Sequence, residues 1–337
     1  HLDANSRPSL QFLTFSDYGI FKPQHSHNKH MQPLLQLMHT MNEHLKHGAH
    51  FVISGGDHFY ENDVNTARHS RWNVYNNFVS DTVLLSTVGN IDWLDTHNKV
   101  AVEQVKAQLD RTYWSSNWCL PALFYTVRFV FWRNEFREFS VRLITLDTTA
   151  YLHDYAHEEF AYLSRQYEWL EAVLDANHRD EWIVVYAHHP FEAVVGNKPD
   201  ENASSDAVEA ERRILRNRPR YGMEDLEQKQ VCKPKMLRLL QLLRKYENVR
   251  LYISGHHHIW RVCHIHQHEQ VKLVTMVTGS TGKSDHYFNK KLPVHMVAGG
   301  DDVSFGKVTV DREKMRVEII GKDNQTLFDE IYMKHNV

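Results

Sequence analysis

The stretch Phe51-Val52-Ile53-Ser54-Gly55-Gly56-Asp57-His58-Phe59-Tyr60 decides how the chain is read. An apolar, β-like run ends at two glycines, where a backbone without Cβ atoms can approach a ligand closely, and a carboxylate follows at once. Four other places repeat the plan. Phe12–Phe15 precedes Asp17-Tyr18-Gly19, and Leu84–Val88 precedes Gly89-Asn90-Ile91-Asp92. Trp182–Tyr186 precedes His188-His189-Pro190, and Val249–Ile253 precedes Gly255-His256-His257-His258. In an open α/β sheet the carboxyl ends of the strands share one edge, so residues just past five strands can meet at one site.

Carboxylate, amide, phenol and imidazole would meet there. The donors are Asp17, Asp57, Tyr60, Asn90, His188, His256 and His258. A carboxylate after two glycines is well placed to bridge two cations. Tyr60 lies on the side of Asp57 if the segment turns helical, and a phenolate favours a hard, highly charged ion. Asn90 offers a neutral amide oxygen, and the His256-x-His258 spacing sends alternate side chains to one side of an extended segment. Shared between two ions ~3.5 Å apart, this set leaves positions open for water and a substrate oxygen.

The rest of the chain frames the site. Its 337 residues, 42% hydrophobic and 12% aromatic, keep a strand-helix rhythm from about Leu10 to Ile331, which predicts one large domain over 9–337 after a polar leader at 1–8. Residues 194–229 break that rhythm as an insertion, and their Arg212–Arg220 run reads as a solvated helix face. Helices are expected near His30–His47, Thr66–Ser80, Asn98–Arg111, His157–Asn177 and Lys235–Tyr246. His264-x-His266-x-His268 alternates like an exposed strand and reads as surface.

A net charge of −3 gives no electrostatic case for nucleic acid. No run approaches ~18 apolar residues, so no transmembrane segment is expected in the sequence. Cys119, Cys232 and Cys263 contain no C-x-x-C pair, which argues against a thiolate zinc site and leaves disulfide pairing open. The 25 histidines make net charge strongly pH-dependent between about pH 5 and 8. Asn202-Ala203-Ser204 and Asn324-Gln325-Thr326 fit the glycosylation sequon. Together these lean towards the secretory pathway or an extracellular or lysosome-like compartment.

The order Asp-x-Gly, Gly-Asp-x-x-Tyr, Gly-Asn-x-Asp, His-x-Pro, Gly-His-x-His resembles the calcineurin-like metallophosphoesterases. The tyrosine of Gly-Asp-x-Phe-Tyr narrows the resemblance to purple acid phosphatases of the small tartrate-resistant type. Gly48–Ser54, Leu146-Asp147-Thr148, Glu168-Trp169-Leu170 and the tail Phe305–Ile331 extend it to nearly the whole chain. The resemblance implies an α/β fold: a β-sandwich of two mixed sheets flanked by helices, in four αββα layers. It implies that Asp17, Asp57, Tyr60 and His258 hold Fe(III). Asp57 as bridge, Asn90, His188 and His256 would hold Fe(II), Zn or Mn. The implied reaction is hydrolysis of a phosphate monoester by a metal-bound hydroxide.

Two departures stand out. The family's histidine after the asparagine of the third block is Ile91, which can donate neither a proton nor a hydrogen bond. A second histidine, some nine residues after the His-x-Pro histidine, is absent from Phe191–Asn197. Losing a general acid costs ~10²–10⁴ in rate, most for poor leaving groups, so a weak phosphatase biased towards aryl esters is expected. His257, His189 and His58 are the candidate substitutes for the acid, and spacing selects none of them. Gliding-motility anchor proteins of parasites also resemble the chain, lack the same histidine, and share a stretch like Gly279-Ser280-Thr281-Gly282-Lys283-Ser284. They imply the alternative: a catalytically impaired scaffold with a protein partner, in a membrane-anchoring role. Those proteins lose several ligands, whereas this chain keeps all of them.

Overall fold

The computed structural model describes residues 8–19, 31–60, 64–78, 82–94, 102–133, 136–153, 158–176, 181–191, 235–236, 238–267, 270–279 and 295–334. Two mixed sheets, each of seven strands, form a sandwich. The first runs from Thr326–Met333 (β14) through Lys314–Gly321 (β13), Ser304–Val310 (β12), Leu10–Phe15 (β1), Phe51–Ser54 (β2) and Val83–Ser86 (β3) to Trp118–Cys119 (β4). Pairing is antiparallel from β14 to β1 and parallel from β1 to β4. The second sheet runs from His295–Gly300 (β11) through Trp260–Gln267 (β9), Gln270–Thr278 (β10), Val249–Ser254 (β8), Glu181–Ala187 (β7) and Phe136–Leu146 (β6) to Tyr125–Arg133 (β5). There β10, β8, β7 and β6 are parallel.

The central parallel strands are buried on both faces, which explains why they read as continuous apolar runs. The two-residue period still sorts their side chains. Trp182, Val184 and Tyr186 of β7 enter the core between the sheets, while Ile183, Val185 and Ala187 enter a second core. That outer core contains Leu170 and Leu174 of helix Gln166–Asp175 and Leu239, Leu242 and Leu243 of a helical segment at 238–244. Phe51 links the sheets: its ring stacks on Phe12 at 5.1 Å and on Phe129 of β5 at 5.0 Å. Helix Met31–Lys46 (α1) buries Leu34, Leu37, Met38 and Met41, an i, i+3, i+4, i+7 stripe, against the first sheet. Full burial of such side chains is worth ~1.5–3 kcal/mol each. The layers are helix, sheet, sheet, helix, as the family resemblance implied.

Several elements differ from their sequence reading. Thr66–Ser80 is not one helix but a 3₁₀ turn at Ser70–Trp72 followed by Asn73–Phe78 (α2), a short helix rich in poor helix formers. Glu103–Trp114 (α3) starts later than expected. His157–Asn177 is divided into a 3₁₀ stretch, Glu158–Arg165, and the helix Gln166–Asp175 (α5), with Thr148–His153 (α4) preceding both. His264 is not at the surface: it is buried, with Nε2 2.9 Å from the Tyr332 hydroxyl and 3.3 Å from a Glu330 carboxylate oxygen. This contact ties β9 of the second sheet to the edge strand β14 of the first. Cys119 and Cys263 are not joined in a disulfide, and Cys232, Asn202, the insertion 194–229 and 280–284 lie outside the described residues. No helix among the described residues is long and apolar enough to cross a membrane.

Candidate metal centre

The five blocks all follow strand carboxyl ends at one edge of the sandwich. Asp17, Asp57 and Asn90 come from β1, β2 and β3 of the first sheet, and His188, His256 and His258 from β7 and β8 of the second. Backbone hydrogen bonds tie the loops to one another: Asp17 N–H donates to Gly56 O at 3.1 Å, Gly19 N–H to Asp57 O at 3.1 Å, and Gly255 N–H to His188 O at 2.9 Å. Asp17, Asp57 and His256 adopt φ of 58°, 56° and 67°. L-residues reach this left-handed region only at an energetic cost of about 1–3 kcal/mol, and such strain clusters at functional sites.

Their donor atoms converge. The Asn90 Oδ1 atom lies 2.9 Å from both His188 Nε2 and His256 Nδ1. His188 Nε2 is 3.4 Å from Asp57 Oδ1 and 4.0 Å from Asp17 Oδ1, and His258 Nε2 is 3.8 Å from Asp17 Oδ1. The Tyr60 hydroxyl is 3.1 Å from His258 Nε2 and donates to Asp17 O at 3.1 Å. His188 Nδ1 contacts Gly55 O at 2.8 Å, which aims Nε2 at the carboxylates.

Glycines make the close approach possible. A Cβ on Gly89 would sit 2.1 Å from Asp57 Oδ1, and one on Gly255 2.3 Å from Asp17 Oδ2. Behind the centre, Asp92 is fully buried and clamps the third block to the second. Its carboxylate accepts from the N–H groups of Asp57 at 2.9 Å, His58 at 3.2 Å and Gly89 at 2.8 Å, and from Gln108 Nε2 at 2.9 Å. The sequence carries one signal for Asp92, a carboxylate two residues past Asn90, but not its clamping role.

Burial pushes the Asp17 carboxyl up to about 6, partly offset by His188. Burial also opposes charge on His188, yet the Asp57 and Asp17 carboxylates override it and raise His188 to about 10. Burial likewise penalises the Asp92 carboxylate, but His58 and the converging donors hold it below its ordinary range. Asp147, buried and bonded by Trp93 Nε1 at 3.0 Å, is pushed up by burial to about 7. Two carboxylates held together in a low-dielectric pocket are relieved either by protonation or by a positive charge between them.

The residues present fit a cation. Asp17 Oδ1 is buried and receives no hydrogen bond, an expensive arrangement unless a positive charge faces it. Donor atoms of Asp17, Asp57 and His188 lie within 4.8 Å of one another, and the surrounding set is all hard or borderline oxygen and nitrogen.

The other sequence candidates separate clearly. Ile91 is half-buried beside the cluster and donates its N–H to Asp57 Oδ1 at 2.9 Å. His58 is buried behind the site, with Nε2 2.7 Å from Ser54 Oγ and Nδ1 2.9 Å from Gln108 Oε1, so it faces the scaffold. His257 is half-buried, its Nδ1 3.4 Å from Arg261 Nη2. His189 is buried, with its ring 4.5 Å from that of His256. Asn324 is exposed in a turn, φ 63°, with Oδ1 2.9 Å from His44 Nε2.

The sequence pattern of calcineurin-like phosphoesterases matches residues 11–260, spanning all five blocks. The chain belongs to the calcineurin-like phosphoesterase family. Within it, tartrate-resistant acid phosphatase type 5 of Oryctolagus cuniculus is 25% identical over 210 residues, covering 57% of this chain and 59% of that protein. The matched region is therefore less than two thirds of the curated relative's length. Among solved structures, the fold is similar to GAP50, described as the anchor in the inner membrane complex of Plasmodium, with TM-score 0.67, 16% identity and coverage of 97% and 90%. It is also similar to purple acid phosphatase PPD1 from yellow lupin seeds, Lupinus luteus, with TM-score 0.61, 17% identity and coverage of 98% and 55%. This calcineurin-like phosphoesterase thus has both phosphatases and an anchor protein among its structural neighbours.

Proposed function

We propose that the chain is a two-metal phosphatase acting on phosphate monoesters, with aryl esters its better substrates. The carrying observation is the buried Asp17–Asp57–His188 cluster, held at strained loops with one carboxylate oxygen unsatisfied. On this reading Asp17, Asp57, Tyr60 and His258 hold a ferric ion, and Asp57, Asn90, His188 and His256 hold iron, zinc or manganese in the divalent state. When bound, the ions supply Lewis-acid charge that clamps phosphate oxygens and activates water at neutral or acidic pH.

The protein's own contribution is positioning and charge. Gly55 O and Asp57 hold the His188 ring from opposite ends, and Asp92 locks the Asp57 and Gly89 backbones. Ile91 gives the departing alkoxide no proton. Leaving groups that need protonation therefore lose ~10²–10⁴ in rate, and aryl oxides lose less.

Turnover of an aryl phosphate by the metal-loaded chain, compared with His188→Ala over about pH 4–8, tests this reading. Activity above that of the variant, larger for aryl than for alkyl phosphate, supports it. One specific pair of observations favours a second reading, a non-catalytic anchor: Ile91 at the acid position and the whole-chain likeness to GAP50. Turnover equal to that of His188→Ala would select it, along with a protein partner. The acid phosphatase reading also places the chain in the secretory route, where exposed Asn324 is a glycan acceptor; a glycosidase-dependent mobility shift lost in Asn324→Gln checks this.

A further inference from the structure

His188, His189 and His256 form a second donor group at the centre. One ring nitrogen from each lies within 4.8 Å of the others, and His188 and His189 are buried. Two ligands on opposite sides of one zinc ion are ~4.2 Å apart, given Zn–N bonds of ~2.1 Å, so small side-chain shifts close the group around an ion. His189 is built into place. Its Nδ1 lies 3.0 Å from Thr148 Oγ1, its backbone N–H donates to the same oxygen at 3.0 Å, and its carbonyl accepts from the Tyr252 hydroxyl at 2.7 Å. Thr148 anchors one ring nitrogen, and the rings of His188 and His256 lie 5.0 Å and 4.5 Å from that of His189. A partner on the far ring nitrogen is the arrangement that fixes tautomer and orientation in metal-ligating histidines.

We infer that His189 is a third imidazole ligand of the divalent position, which makes that position selective for zinc-like ions over manganese. The inference rests on the two-metal reading above and adds a residue which that reading does not use. Imidazole suits zinc, copper, iron and nickel, whereas manganese prefers carboxylate, carbonyl and water oxygens. Without His189 the divalent position has two imidazoles and two oxygens, Asp57 and Asn90. With it, nitrogen donors outnumber oxygens.

The test is chelator competition on the full-length chain, loaded separately with zinc and with manganese, in wild type, His189→Gln and His188→Ala. The inference predicts that His189→Gln weakens zinc ~10–100-fold and changes manganese less than about threefold. In the cobalt-substituted chain, the same variant should shift the visible d–d bands as a nitrogen donor is lost. Equal losses for zinc and manganese, or none for either, overturn the inference and leave the two-metal reading standing. A wild type that binds no more zinc than His188→Ala overturns both. If His189→Gln does not fold, Thr148→Val replaces it: the imidazole stays but loses its orienting hydroxyl, and a smaller loss confined to zinc is predicted. A Thr148→Val chain with unchanged zinc affinity counts against the inference.

Discussion

The backbone N–H of Ile91 donates to Asp57 Oδ1 at 2.9 Å, so position 91 touches the centre through its main chain whatever its side chain. On the proposed reading, the missing proton donor at position 91 and the bridging role of Asp57 are thus separable. Ile91→His should fold and bind metal as the wild type does, while raising alkyl phosphate turnover by up to ~10²–10⁴. Side-by-side alkyl and aryl assays read this out. An unchanged alkyl rate would mean that the pocket around the leaving group has been remodelled beyond one side chain.

Asp92 should be the most sensitive residue that touches no metal. Asp92→Asn keeps the shape but turns an amide N–H₂ towards donors that need an acceptor, at a cost of ~3–5 kcal/mol. A lower melting temperature and weaker metal binding should appear together. The sign of the pH dependence follows from its depressed pKa: the stability it confers is present above its ordinary value of 3.8 and is lost as pH falls through the lower folded value. Acid unfolding of Asp92→Asn should therefore be less steep than that of the wild type.

Stability of the metal-free chain should fall as pH rises. Asp17 is raised from 3.8 to about 6 and Asp147 from 3.8 to about 7, so folding favours their protonated forms and weakens as pH climbs through those ranges. His188 is raised from 6.5 to about 10; its stabilisation is complete below pH 6.5 and is lost through about 10. On the proposed reading a metal ion at His188 would take the place of its proton, so calorimetry between about pH 7 and 9 should give a falling melting temperature for the metal-free chain and a flatter one for the loaded chain. Parallel slopes would count against metal binding at His188.

Two glycines separate sterics at the centre from backbone strain. A Cβ at Gly89 would meet Asp57 Oδ1 at 2.1 Å and His188 Cε1 at 2.8 Å, so Gly89→Ala should abolish metal binding. Gly48 has φ 116° with nothing within 4 Å, so Gly48→Ala should cost ~1 kcal/mol of stability and leave metal content unchanged. Metal analysis and melting curves on the pair check both.

The candidate site, as a cluster of donors, was more legible in the sequence than the fold around it. Asp17, Asp57, Asn90, His188 and His256 each follow a predominantly apolar strand, and chemistry placed at strand ends is readable wherever a polar block interrupts such a run. The edge strands β11 and β14 lack that contrast: half-exposed sequences such as Thr326–Met333 alternate weakly and pair only because β13 is beside them. His264 read as surface because alternation cannot tell solvent from the other sheet; its burial depends on Glu330 and Tyr332, some 66 and 68 residues further on. Apolar spacing over Thr66–Ser80 fits one helix, whereas the poor helix formers of Asn73–Phe78 support only a short one. Asp92 was visible as a residue but not as a clamp, since its partners Asp57 and His58 lie 35 and 34 positions away.

The central claim is that these donors hold two ions, one of them ferric and bound to the Tyr60 phenolate. Elemental analysis with a visible spectrum, on one iron-replete oxidised preparation, tests it most directly. The account predicts two metal ions per chain, iron among them, and a visible absorption band that Tyr60→Phe bleaches. A colourless chain carrying stoichiometric zinc alone would contradict the ferric assignment, and a chain with no more metal than His188→Ala would contradict the centre itself.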